Sequence, residues 1–272
     1  MLERTTTEIP GLGWTEKLHP KFAEKSPGQA MHGAARRIVS IGDPRRRALF
    51  QLEKDEAELR GYFAKVLEEV AEGGDTMMQI GAHDGSFDDP FSALVPSFKR
   101  AVLVEPQAEQ FKKLQERYKD VSSVILRREA VAATSGSIVL HRAAIDSAAE
   151  FGSAIAATDP EQVQSEIKRC LGYRAVRKVV LEKEEVPATT MAALLADTMP
   201  DGASLTMLAS DTEGSDALVV RGAVGEHGLR PPVIQYEHLH VDQTTSRELT
   251  GELSAIGYQL TKTHKDTLAV LG

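Results

Sequence analysis

From Gly74 onward the chain alternates between short apolar runs and amphipathic segments, and few architectures accommodate that pattern. Met77–Ile80, Ala101–Val104, Val124–Leu126, Leu205–Leu208 and Val233–Tyr236 read as strands too apolar for a sheet with one wet face. Between them Phe91–Phe98, Ala108–Tyr118, Thr189–Met199, Ser215–Arg221 and Thr245–Ile256 have helical spacing. Strands alternating with helices predict a doubly wound, mainly parallel α/β sheet covered on both faces. The ending differs. Tyr258–Thr261 and Thr267–Leu271 are joined only by Lys262 to Asp266, too short a link for a crossover helix, so these two strands must be antiparallel.

The part before Gly74 has another character. Pro10, Gly11, Gly13, Pro20, Pro27, Gly28 and Gly33 interrupt any period, which predicts an arm with at most a short helix. Pro44 to Glu72 then carries Leu49, Leu52, Leu59, Phe63, Val66, Leu67 and Val70 at helical spacing until Gly73-Gly74. One or two amphipathic helices are expected there, packing on the body or on a second protomer, which makes them the candidate contact of a homo-oligomer. The division is therefore an arm over 1–75 and a main domain over 76–272. Ser137–Leu140 and Val176–Glu182 look like strands bracketing a polar insertion, Ile145 to Arg174, with a helix near Glu161–Cys170.

Charge follows the same division. Residues 1 to 60 hold 11 Lys plus Arg and 9 Asp plus Glu, so the whole-chain charge of −8 leaves −10 for the rest. An acidic body argues against a nucleic-acid partner, whose phosphates would call for Lys and Arg. The basic runs Arg36-Arg37 and Arg45–Arg47 read as a solvated helix face, with an anionic partner patch as the alternative. The single cysteine, Cys170, excludes an internal disulfide and a multi-cysteine zinc site. No apolar run reaches the roughly 18 residues of a membrane span, and the N-terminus has no apolar export signal, so a cytoplasmic location is expected.

Two segments carry cofactor chemistry. The first strand runs into Gly81-Ala82-His83-Asp84-Gly85, a turn whose glycines let a ligand approach the backbone at the carboxyl end of a strand. Its spacing departs from the G-x-G-x-x-G dinucleotide fingerprint, which disfavours a nicotinamide oxidoreductase. The second strand ends in Glu105-Pro106. An ionised Glu105 can accept two hydrogen bonds from a ribose, and Pro106 suits the first turn of the next helix.

Two further strand ends carry polar chemistry. Asp211 and Glu213 follow Leu205–Ala209, and residues two apart on an extended chain face the same way, into the cleft. Capping of the helix near Ser215 is the alternative. Glu237, His238, Leu239 and His240 end the next strand; if it stays extended, His238 and His240 share a face and Glu237 takes the other. Either histidine could remove a hydroxyl proton near neutral pH, or hold a structural hydrogen bond. Asp211, Glu237 and a histidine include the ligand types for a divalent cation, without a tight spacing motif to favour one.

Six segments in register, IGAHDGSFDDP, VLVEPQAEQFKKL, REAVAATSGSIVL, EVPATTMAALL, LTMLASDTEGSDALVVRGA and PPVIQYEHLHV, resemble the FkbM family of S-adenosylmethionine-dependent methyltransferases over residues 76 to 271. The D-x-E-G at Asp211–Gly214 and the helix ending Arg221-Gly222-Ala223 belong to that likeness. It implies a class I, Rossmann-like methyltransferase fold, for which a terminal antiparallel hairpin is typical. It further implies S-adenosylmethionine as donor and methylation of a hydroxyl on a small natural product, sugar or glycan. Carried onto this chain, Gly81, Asp84 and Gly85 would contact the amino-acid portion of the cofactor and Glu105, beside Pro106, its ribose. Glu129, Ala130 and Val131 would border the adenine, where Glu129 could instead be a surface charge. Asp211 and Glu213 would hold the acceptor hydroxyl or the donor ammonium, and His238, His240, Asp211 and Glu237 are the candidate catalytic groups. His83 departs from the family, which more often has Asn there, although His can also donate a hydrogen bond. The alternative is a noncatalytic binding module that keeps the fold.

Overall fold

The computed structural model describes residues 44–72, 74–86, 89–143, 156–171 and 180–272. The expected N-terminal arm up to residue 43 and residues 144–155 and 172–179 of the insertion and its flank lie outside the described residues. The chain divides into two units, Met1–Asp55 and Glu56–Gly272, and the sheets and the site belong to the second.

Helix α1 is Pro44–Ala71. It is followed by β1 (Thr76–Ile80), β2 (Arg100–Val104), α2 (Ala108–Tyr118) and β3 (Val124–Arg127). Next come β4 (Ala130–Val131), β5 (Gly136–Ala143), β6 (Ala156–Ala157), α3 (Pro160–Leu171) and β7 (Leu181–Thr189). The last part contains α4 (Met191–Thr198), β8 (Leu205–Ser210), α5 (Asp216–Val220), β9 (Val233–Glu237), α6 (Gln243–Ala255), β10 (Tyr258–Lys262) and β11 (Asp266–Leu271). Seven strands form the main sheet in the order β10-β11-β9-β8-β1-β2-β3. All pairs from β9 to β3 are parallel; β11 pairs antiparallel with β9 and with β10. The expected doubly wound sheet with a terminal hairpin is what the chain forms.

Side-chain alternation assigns the two faces. Met78, Ile80, Val102, Val104, Leu208 and Ile234 point to one side, where Met191, Leu194 and Leu195 of α4, Val219 and Val220 of α5 and Leu249 and Leu253 of α6 cover them. Met77, Ala101, Leu103, Met207 and Ala209 point to the other, against Phe63, Val66, Leu67 and Ala71 of α1 and Leu114 and Tyr118 of α2. Strands β1, β2 and β8 are thus buried on both sides, and truncation of Leu103 of β2 to Ala would cost about 2–5 kcal/mol through lost transfer energy and the cavity left.

The sequence expectations fail in identifiable places. Phe91–Phe98 is not a helix but a series of turns ending in a 3₁₀ segment, Val95–Ser97. Pro96 lacks the N–H that an α-helix would need there, yet Phe91, Leu94, Val95 and Phe98 still enter the core, so the apolar spacing was real and its cause was packing. Pro106 does not open α2 either: Gln107 is the N-cap and Pro106 precedes it. The strand expected at Val176–Glu182 lies mostly outside the described residues; the strand observed is β7, which continues through Pro187 to Thr189. It pairs antiparallel with β5, while β4 meets it only at Ala188 and Thr189, so one side of Pro187 needs no ladder bond. Strands β4, β7, β5 and β6 make a second, four-stranded sheet.

Candidate functional site

The strand order reverses between β1 and β8: the chain proceeds outward through β2 and β3, then returns to the far side of β1. Parallel sheets open a crevice at the carboxyl ends of such neighbouring strands. Here Asp211 N–H donates to Ile80 O at 2.9 Å, and Gly81 and Ala82 N–H both reach Val104 O at 2.9 Å, so three strand ends are tied together at backbone level. Gly81 has φ +84°, and a Cβ on it would fall 1.8 Å from Asp211 O. Gly85, at φ +71°, is pressed by Leu114, Arg117 and Tyr118 of α2, each with an atom 2.9 Å from where a Cβ would be. Only glycine fits these two places.

His83 adopts a left-handed φ of 49° between them. That conformation aims its backbone N–H at Glu105 Oε2, 2.9 Å away, while Gln107 N–H donates to Oε1 at 2.8 Å. Glu105 is therefore fixed at the end of β2 by one amide per oxygen, leaving a lone pair on each for a further donor. Burial pushes its carboxyl up to about 7, with the two amides opposing that shift. Burial also lowers the His83 imidazole, against the nearby Asp84 charge, whose Oδ1 is 3.4 Å from Nδ1. Asp84 turns back on its own loop, accepting from Ser86 N–H at 2.8 Å and Ser86 Oγ at 2.9 Å.

A second cluster stands at the ends of β8 and β9. The chain leaves extended conformation after Ser210, and Glu213 takes φ 54°, so the same-face geometry expected for Asp211 and Glu213 does not apply. They meet different partners. Asp211 Oδ2 accepts from Lys265 Nζ at 3.0 Å, whereas Glu213 Oε2 lies 3.1 Å from His240 Nε2. Strand β9 likewise stops at Glu237 in a turn, closed by Val241 N–H to His238 O at 3.3 Å. The turn reverses the expected faces: Glu237 and His240 come together, and His238 Nδ1 instead contacts Thr267 Oγ1 at 2.9 Å.

Electrostatics in this cluster are severe. Burial first, and then the charge of Asp211, push Glu213 up to about 8 and Glu237 up to about 10, with Glu166 adding to the first, Glu213 to the second and Lys265 opposing both. Burial works against the Lys265 ammonium, but Asp211 and Glu237 outweigh it and hold the group charged. His240 is lowered by burial, with Glu166 acting in the opposite sense.

Of the residues singled out in the sequence, Gly81, His83, Asp84, Gly85 and Glu105 gather at β1 and β2, with Pro106 flanking them. Asp211, Glu213, Glu237 and His240 gather at β8 and β9. His238 faces away to Thr267. Glu129 binds Arg127 Nε at 2.7 Å, in a pair that also reaches Asp197, and Ala130 lies buried in β4.

Four residues of the site were not singled out. Lys265 sits in the hairpin turn, where no motif marks it; His238 N–H donating to Lys265 O at 2.9 Å holds that turn over the cluster. Gln162 and Glu166, one helical turn apart on α3, reach Glu213 O at 2.6 Å and His240 Nε2 at 3.5 Å. Their i, i+4 spacing was the available signal. Asp216 is fully buried and accepts from Ser210 Oγ, Thr212 Oγ1, Thr212 N–H and Gly214 N–H, fixing the whole D-x-E-G turn. It fills the capping role expected as the alternative for Asp211 and Glu213, and the helix N-cap Ser215 makes no side-chain bond.

No protein-family profile matches the chain, and no curated protein matches it. Among solved structures, it is similar to the methyltransferase FkbM of Methylobacillus flagellatus KT, at 16% identity and a TM-score of 0.43 over 72% of this chain and 43% of that one. The chain thus spans less than half of that protein's length. The N-methyltransferase NodS of Bradyrhizobium japonicum WM9 gives 11% identity and a TM-score of 0.38 over 79% and 94% of the two chains. Aeropyrum pernix fibrillarin, solved with natively bound S-adenosyl-L-methionine, gives 11% and 0.38 over 77% and 74%. At these values the sheet order, rather than the likenesses, defines the fold.

Proposed function

We propose that the chain is an S-adenosylmethionine-dependent methyltransferase that methylates a hydroxyl on a natural product, sugar or glycan. The observation that carries this reading is the pairing of Gly81, whose missing Cβ is required by Asp211 O, with Glu105, whose carboxylate is held at the next strand end by two amides. These residues fit an adenosyl donor. The Gly81 contact fixes the ends of β1 and β8 beside the crevice, and Glu105 can still accept from both ribose hydroxyls.

In this reading Gly81, His83, Asp84 and Gly85 line the amino-acid end of the donor, Glu105 and Pro106 its ribose, and Glu129 and Ala130 the adenine border. When bound, S-adenosylmethionine supplies an electrophilic methyl group. The chain's own contribution is alignment of the acceptor oxygen and relief of the charge that builds on it. Asp211, Glu213, Glu237 and His240 stand at the adjoining strand ends, where such an acceptor would lie, while His238 is turned towards Thr267.

Calorimetric titration of the full chain with S-adenosylmethionine and S-adenosylhomocysteine tests the reading. Saturable binding of both is expected; binding of neither at millimolar concentration would overturn it. Formation of S-adenosylhomocysteine with a panel of hydroxylated glycans and natural products then identifies the acceptor.

A further inference from the structure

We propose that Glu213, Glu237 and His240 form the protein side of a divalent metal site at the ends of β8 and β9, suited to a first-row ion such as Mn²⁺. One carboxylate oxygen from each glutamate and one imidazole nitrogen lie within 4.8 Å of one another. Two ligands about 2.1 Å from one ion and at right angles are about 3 Å apart. Glu213 Oε2 and His240 Nε2 are 3.1 Å apart, and among the described residues Glu213 Oε2 makes no hydrogen bond. Their separation suits two ligands of one ion as well as a direct imidazole–carboxylate contact.

Glu237 is the independent observation. It is 1% exposed, and among the described residues neither of its oxygens makes a hydrogen bond. Lys265 Nζ, 3.3 Å from Oε1, forms an ion pair with it while donating a hydrogen bond to Asp211, and Oε2 meets no donor among the described residues. A carboxylate buried to this degree and aimed at two other ligand atoms calls for a cation. Lys265 is shared between Asp211 and Glu237, and Glu166 accepts from Arg169 Nε at 2.7 Å. Two carboxylates with one imidazole form a mixed oxygen and nitrogen set, which Mn²⁺ accepts and which a thiophilic ion would not select.

Local architecture holds the three ligands in place. Asp216 fixes the turn that carries Glu213, Gln162 of α3 pins Glu213 O, and the β9 turn brings His240 back beside Glu237. Three protein ligands leave coordination positions open, and in the methyl-transfer reading, on which this use alone rests, an acceptor hydroxyl would take one.

The test uses the full chain, stripped with chelator and desalted, titrated with Mn²⁺ without donor or acceptor, and followed by the electron paramagnetic resonance of free Mn²⁺. One ion per chain at micromolar concentration is expected. Glu237→Gln and His240→Gln should each weaken binding at least tenfold while retaining native circular dichroism. Lys265→Met, which keeps all three ligands and removes the competing ammonium, should tighten binding at least threefold. Binding no tighter than millimolar, affinity unchanged in both ligand variants, or no tightening in Lys265→Met would overturn the site. Donor calorimetry on the same samples reads the methyltransferase proposal separately.

Discussion

The carbonyl oxygen of Asp211 lies 1.8 Å from the point a Cβ at Gly81 would occupy, so the ends of β1 and β8 are in contact because residue 81 has no side chain. Alanine at that position also faces φ +84°, a conformation costing about 1–2 kcal/mol for an L-residue before any overlap is counted. Gly81→Ala should therefore lower the unfolding free energy by more than about 2 kcal/mol and weaken S-adenosylmethionine binding beyond detection by calorimetry. Urea unfolding beside the titration checks both. Native affinity in a folded Gly81→Ala protein would show that the turn does not touch the donor.

Glu105 offers a test that depends on charge rather than shape. Burial raises its carboxyl to about 7, and only the ionised form accepts from both ribose hydroxyls. Donor affinity should therefore increase as pH rises from 6 to 8. Glu105→Gln should bind at least tenfold more weakly at pH 8 and lose this dependence. A parallel pH profile in the variant would mean that another group is responsible.

The sheet was legible because burial on both faces writes a nearly unbroken apolar run, and Ala108–Tyr118 was legible because one amphipathic helix packs on one face. Phe91–Phe98 misled for a physical reason: turns can bury residues at helical spacing as well as a helix can. The glycine turn and Glu105 were visible as strand-end residues. The second cluster was only half visible. Glu213 and His240 occupy turns whose dihedral angles rotate their side chains away from the extended-chain positions, and no strand periodicity can foresee that. Lys265, Gln162 and Glu166 come from distant segments and meet the cluster only through tertiary packing.

Asp216 should prove to be the stability anchor of this region. It is fully buried and gathers four donors from Ser210, Thr212 and Gly214. Asparagine would keep one acceptor oxygen and turn an amide NH₂ towards donors, leaving buried N–H or O–H groups unsatisfied. Asp216→Asn is expected to cost about 2–4 kcal/mol in chemical unfolding. A loss below about 0.5 kcal/mol would mean that the turn holds without it.

Asp89 should impose a pH dependence on stability of a sign opposite to that of a salt-bridged acid. Its Oδ1 accepts from Phe91 N–H at 2.8 Å and Gln79 Nε2 at 3.3 Å, but burial outweighs these bonds and raises the carboxyl from 3.8 to about 6. Between those values the folded chain holds a proton that the unfolded chain has released. The contribution is fully present below about pH 3.8 and is lost as pH rises through about 6. Relative to Asp89→Asn, which can still accept both bonds, the native protein should gain about 2 kcal/mol between pH 7.5 and 4.5. Urea unfolding of both proteins at the two pH values isolates this difference from every other titrating group, because only position 89 changes. An equal gap at both pH values would place the Asp89 carboxylate in a well-solvated setting and contradict the burial seen here.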